Sequence, residues 1–391
     1  DGVPALVDRI GLAWPVDGSL VISEVHTPLL EGYAGFYDPE TDEITISEDL
    51  DDLTIIHEAS HAWFNKSLFT ERWITEGLAD EYAARVLQEL DRGYPDPPAS
   101  SPTERAAFPL SDWSPPAAIR DDESQDRESY GYAASWALMR SIVRLVGEDA
   151  MRAAFGAAVA GTTAYPGEAP PERSRLPNDW RRFLDLVQRE TRLADEAEIA
   201  DLVAEVALDE DDRNVLPARA SARRALAELV DAGGGWAAPV VVRLAMDNWQ
   251  FDAATELMSR ASDVLAVRDE ITGLAGVEGL EPPAKPEEDY QEAASVAELT
   301  VVKEDADRSL AVLERVAGAS DVVEAPRDWF TEVGLDGAEP ATDVAAARTA
   351  WERADLAAAE DAAAAAVELI REAPEAGRTR VLTVGAGAVL A

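Results

Sequence analysis

The chain has 391 residues and carries 77 Asp and Glu against 34 Lys and Arg, a formal net charge of −43. The acid is spread along the whole length, so the phosphate backbone of nucleic acids and anionic membrane surfaces would both be repelled. With no cysteine, disulfides and thiolate metal sites are excluded, and any metal has to sit on histidine and carboxylate.

The lysines are Lys66, Lys285 and Lys303; the remaining basic residues are arginine. Two readings fit this skew: solubility at high salt, where repulsion is screened, or a coding bias expressed on an acidic surface.

The first 50 residues read as mixed structure. SLVISEV has the pattern of a strand, and GFYDPETDEITIS that of a hairpin turning at DPETDE, with Ile44 and Ile46 alternating on one face. From Asp49 the period becomes helical: Leu53, Ile56, Ser60 and Phe64 fall at three-to-four spacing behind the acids at 49, 51 and 52. A second helix is expected from about Glu71 to Leu90. The Pro- and Ser-rich stretch GYPDPPASSPTERAAFPLSDWSPP then reads as a long surface loop, and a further helix runs from about Ser129 to Leu145, stopping near Gly147. After another helix, TTAYPGEAPPERSRLPND is a linker and DWRRFLDLVQRE restarts the helical pattern.

Beyond about residue 209 the sequence is helix upon helix, broken by DAGGG and GLEPPAKPEED. NWQFDAATELMSRASDVL and AWERADLAAAEDAAAAAVELI each set a Trp before an Ala-rich amphipathic run, which suits degenerate helical-hairpin repeats; a plain bundle is the simpler arrangement. The last stretch, VLTVGAGAVLA (381–391), is apolar but too short to cross a bilayer, which takes about 20 residues. It reads either as the start of a membrane anchor or as a terminal element packing on the body. The anchor reading favours an extracytoplasmic or membrane-anchored location, although Arg378 and Arg380 just before the stretch are flanks more typical of the cytoplasmic side.

The expected architecture is α+β and mostly α. Residues 1–208 are expected to form a first domain with a small N-terminal sheet, 209–380 an all-helical domain (a bundle or degenerate helical repeats), and 381–391 the apolar tail.

The chemistry concentrates in TIIHEASHAWFN. On a helix, His57 and His61 lie one turn apart on one face, so both imidazoles can reach one ion. Glu58 stands beside them, where a carboxylate can take a proton from water. The chain has three histidines, and two are in this motif. On the next helix, WITEGLADEYA offers Glu76 as a third ligand and leaves a fourth position open, with Asp80 one turn later to accept the spare N–H of a ligating histidine. The gap of fourteen residues between His61 and Glu76 is enough to end one helix, turn and begin another. His26 has no partner in the sequence and reads as a structural or surface histidine.

HEASH followed by WITEGLADEY resembles the gluzincin metallopeptidases, in particular the aminopeptidase-N-like and related peptidase MA groups, whose pattern is HExxH and then a helix of the form W-L-x-E-G-x-A. The resemblance implies one zinc ion per chain held by His57, His61 and Glu76, Glu58 as general base, Asp80 supporting a ligand, and a peptide or protein as substrate. The gap between His61 and Glu76 is shorter than most aminopeptidase-N-like members have. In SYGYAASWAL, Tyr130 matches the tyrosine that stabilises the oxyanion in those enzymes, with Tyr132 as the alternative, and Ala133 stands where they carry glycine. GYAGFYDPETDEITIS resembles the strand along their cleft, whose edge can pair with an extended substrate. The Gly-x-Met-Glu-Asn signature of the aminopeptidases is missing, which turns the expectation toward an endopeptidase. The resemblance covers residues 1–208, implies a zincin-like catalytic domain there, and is strongest over 35–83.

Two other readings share these residues: a binding or scaffold protein with an inactive or structural zinc site, and a zinc hydrolase of non-peptide amides or esters.

Overall fold

The computed structural model describes residues 1–16, 20–38, 41–48, 51–98, 107–116, 118–167, 173–190 and 193–389. Pro39 and Glu40 of the expected turn, Asp49, residues 99–106 of the long loop, 168–172 of the linker and 390–391 of the tail lie outside them.

The chain begins with helix α1 (Gly2–Ile10), which the mixed reading of this stretch did not single out. Strands β1 (Val21–Val25), β2 (Gly35–Asp38) and β3 (Glu43–Ser47) form one sheet in the order β1-β3-β2. β2 and β3 are the expected antiparallel hairpin, with Tyr37 opposite Ile44, while β1 runs parallel to β3 with Ile22 opposite Ile44. β2 is therefore an outer strand. The alternation of β3 buries Ile44 and Ile46 and directs Glu43 and Thr45 away from the core.

Helix α2 (Asp52–Ser60) is capped by Asp51, whose carboxylate accepts from the backbone N–H of Leu53 at 2.7 Å. It stops four residues before Phe64, the last position of its apolar period. Asn65 explains the stop: its side-chain amide donates to the carbonyls of His61 and Ala62 at 2.9 and 3.0 Å, satisfying groups that a continued helix would have paired. Helix α3 (Arg72–Glu89) follows almost as expected. Helix α4 (Asp122–Val146) starts well before the expected Ser129, because Asp121 and Ser124 close a capping box ahead of any apolar periodicity. Helices α5 (Glu148–Ala160), α6 (Trp180–Arg189) and α7 (Leu193–Val206) complete this run.

Aromatic packing locks the turn between α2 and α3. Phe64, Phe69, Trp73, Tyr82, Phe155 and Phe183 are fully buried, with Phe64 5.2 Å from Tyr82 and Phe69 5.2 Å from Phe183, ring centre to ring centre.

The C-terminal run comprises α8 (Glu210–Gly233), α9 (Val240–Asp247), α10 (Phe251–Glu278), α11 (Lys285–Glu292), α12 (Val296–Glu324), α13 (Trp329–Gly334), α14 (Pro340–Glu352) and α15 (Leu356–Val389). The structure is mostly helical with one small sheet, which agrees with an α+β, mostly α class. The chain divides into two compact units. The first takes 1–166, 170–223 and 244–251; the second takes 167–169, 224–243 and 252–391. The first unit thus extends past residue 208. Within it the buried Asp185 of α6 accepts from Tyr165 Oη at 3.0 Å, from Arg219 Nε at 2.9 Å and from Trp249 Nε1 at 2.8 Å.

The second unit is built around Trp351, Leu313, Val316 and Ala359 from α12, α14 and α15. Helices α13 and α15 meet backbone to backbone: a Cβ on Gly334 would lie 1.8 Å from the Ala373 carbonyl oxygen, so no larger residue fits. Both Trp-led segments are helix–turn–helix junctions that pass through a left-handed residue, Trp249 with φ 55° and Ala354 with φ 58°. The apolar tail continues α15 as far as Val389, and no helix among the described residues is long and apolar enough to cross a membrane.

Candidate metal centre

Two helices supply the cluster. α2 carries His57 and Glu58 and ends at His61, and α3 carries Glu76 and Asp80 one turn apart. His57 Nε2 lies 3.1 Å from His61 Nε2, and Glu76 Oε2 is 3.3 Å from each of them.

The outer ring nitrogens define the tautomers. His57 Nδ1–H donates to Asp80 Oδ1 at 2.7 Å, and His61 Nδ1–H donates to the Phe64 carbonyl at 2.8 Å. Carboxylate and carbonyl oxygens can only accept, so in the neutral imidazoles both Nε2 lone pairs face inward. In that neutral form three electron-pair donors converge with no hydrogen between them. Glu76 Oε2 is buried without a hydrogen-bond partner, as is Glu58 Oε2. Buried acceptors of this kind are costly unless something positive satisfies them.

The spacing fits zinc. Ligand atoms about 2.0–2.1 Å from a tetrahedral centre lie roughly 3.3–3.4 Å apart, close to the separations found here. His57, His61 and Glu76 form the group among the described residues whose donor atoms approach closely enough to hold a metal ion.

Electrostatics follow from burial and close charges. Burial, the largest single effect, works against charge on His57, yet the carboxylates of Asp80, Glu76 and Glu58 together outweigh it and lift the imidazole well above its ordinary value. His61 is raised for the same reason, with Glu76 as the opposing charge. Glu76 is driven well below the usual carboxylate range: burial alone would raise it, but the two imidazoles prevail. Glu58 moves the other way, because burial raises it more than the nearby imidazoles lower it. A carboxyl raised in this manner is suited to carry a proton for part of a reaction cycle.

The cluster opens on both sides of Glu58. Cavities of about 530 and 670 Å³ share Tyr33, Gly35, His57, Glu58 and Tyr132. One extends toward Leu53, Ile119 and Trp136, the other toward Asn65, Lys66 and Arg72. Gly35 at the start of β2 comes so close to Glu58 that a Cβ there would lie 3.0 Å from Oε1. The outer strand therefore passes directly over the acid.

Tyr130, the expected oxyanion donor, does not line either cavity. Its ring packs 5.2 Å from that of Phe108. Tyr132, the alternative, does line both, with its ring 6.4 Å from His57. The reason is helical phase: two residues along α4 rotate the side chain by about 200°, so only one of the pair can face the cluster. His26 is away from the site, largely exposed, and bonds to Glu48 at 3.0 Å.

Sequence reasoning missed a polar group next to the cluster. Arg72 donates to both oxygens of Glu128 at 2.9 and 2.7 Å, and Trp113 Nε1 donates to the same carboxylate at 2.8 Å. A signal was present: Glu128, Tyr132 and Trp136 recur at four-residue spacing on one face of α4, which places an acid on a face that is otherwise aromatic.

Compared with family models, with curated proteins and with solved structures, the chain matches none.

Proposed function

We propose that this chain is a zinc-dependent metallopeptidase, acting on peptide or protein substrates as an endopeptidase. The observation that carries the reading is the convergence of His57 Nε2, His61 Nε2 and Glu76 Oε2 within 3.3 Å, beside a buried Glu58 carboxylate and between two open cavities. His57, His61 and Glu76 would hold a zinc ion, which would supply Lewis acidity: a pKa of about 7 for bound water and polarisation of a carbonyl.

The side chains provide the rest. Glu58 takes a proton from the attacking water and returns it to the leaving amine. The Tyr132 hydroxyl accepts from Arg72 Nη2 at 3.2 Å, which leaves its own proton free to donate to the developing oxyanion. Asp80 and the Phe64 carbonyl keep both imidazoles with Nε2 toward Glu76 Oε2, where the ion would be held. An extended substrate can lie along the outer edge of β2, taking main-chain hydrogen bonds above Glu58.

The test is Glu58→Gln, assayed on an unfolded protein substrate. The variant should retain one zinc per chain and lose hydrolysis; turnover close to that of the wild type would end this assignment of roles.

A further inference from the structure

Arg72 opens α3, four residues before Glu76. Its guanidinium is held on every side. Glu128 binds it bidentately, and the Trp113 ring lies 4.0 Å beneath it. Glu128 and Trp113 are both only 3% exposed. Trp113 is itself seated on Gly131 of α4, where a Cβ would come within 2.2 Å of the indole. The glycine between Tyr130 and Tyr132 is thus what admits the indole.

A buried arginine–carboxylate pair is a poor source of stability, since desolvation offsets most of the attraction. Two further contacts of Arg72 reach the site. Nη2 donates to the Tyr132 hydroxyl at 3.2 Å, and Nε lies 3.6 Å from Glu76 Oε1, the oxygen turned away from the histidines.

We infer that Arg72 is a positioning residue. It occupies one lone pair of the Tyr132 hydroxyl, so that the hydroxyl proton is directed to the cleft, while its Nε rests beside the outer oxygen of Glu76. Glu128 and Trp113 form the seat that keeps it there. The inference rests on the peptidase reading above and adds a residue to it.

The experiment is a double-mutant cycle on the zinc-loaded full chain, combining Arg72→Met with Tyr132→Phe. Two quantities are read: peptide turnover, and calorimetric affinity for a phosphinic peptide, whose tetrahedral anion resembles the transition state. Arg72→Met should lower kcat by roughly 10- to 100-fold with KM nearly unchanged, as expected when support for an oxyanion donor is lost. Phosphinic-peptide affinity should fall in parallel, with one zinc per chain retained. The double variant should be no worse than about threefold below Tyr132→Phe alone, because the arginine acts through the tyrosine. Arg72→Lys should recover part of the loss.

Arg72→Met leaves a buried carboxylate unpaired, so Arg72→Met with Glu128→Gln serves as a second background and should show the same dependence on Tyr132. Losses that multiply in the double variant, or an Arg72→Met chain that behaves as wild type, overturn the inference. A wild-type chain that binds zinc but cleaves no peptide overturns the peptidase reading instead. Arg72 is then judged on phosphinic-peptide affinity alone, where equal binding by wild type and Arg72→Met, or none by either, rejects it.

Discussion

His57 Nδ1 and Asp80 Oδ1 lie 2.7 Å apart, joining the first imidazole of the cluster to a carboxylate one helical turn beyond Glu76. The same bond fixes the tautomer, sets the ring plane and makes Nε2 a better electron donor. Asp80→Ala should therefore weaken zinc binding by about 10- to 100-fold, the usual range for losing such a support. Competition against a chromophoric chelator measures it. Because the Phe64 carbonyl orients His61 through the main chain, no side-chain substitution removes that second support so directly.

The two tyrosines of α4 make a paired prediction. Tyr132→Phe should lower kcat by about 100-fold, the scale of a lost oxyanion donor, with little change in KM. Tyr130→Phe should leave turnover within about twofold, since its ring packs on Phe108 and borders neither cavity. The reverse ranking would show that α4 presents its other face to the substrate.

Zinc affinity should depend on pH. In the metal-free protein His57 and His61 both titrate above their ordinary value, despite burial, because Asp80 and Glu76 stand against them. The folded chain then holds protons that the unfolded chain has released above about pH 6.5. The stability they contribute is complete below that pH and disappears as pH rises through the folded values. Zinc has to displace these protons, so its affinity should increase by up to about tenfold per pH unit for each proton expelled, followed between about pH 6 and 8. A flat profile would mean that neither imidazole carries a proton in the metal-free state.

How legible the site was depends on the range of the interactions. His57, Glu58, His61, Glu76 and Asp80 could be placed from local spacing, because each pair is related by one turn of one helix or by a short turn between two. The β2–β3 hairpin and α3 were legible for the same reason. Two features were not. The early start of α2's closing turn depends on Asn65 capturing two carbonyls, which competes with an apolar period that continues to Phe64. The choice between Tyr130 and Tyr132 depends on the phase of α4 against α3, and that phase is set by Glu128 meeting Arg72 and by Trp113 resting on Gly131. Both contacts join residues far apart in sequence.

Asp185 bears on how this protein can be divided. Its carboxylate belongs to the same unit as the histidine cluster, yet two of its donors, Arg219 and Trp249, come from sequence beyond residue 208. A gene fragment stopping at 208 would remove the Arg219 and Trp249 donors from an enclosed carboxylate and leave it the Tyr165 hydroxyl, so the interior around α6 would have to open to water. A piece that keeps all three donors and the whole first unit runs through residue 251, and so carries residues 224–243 of the second unit along with it.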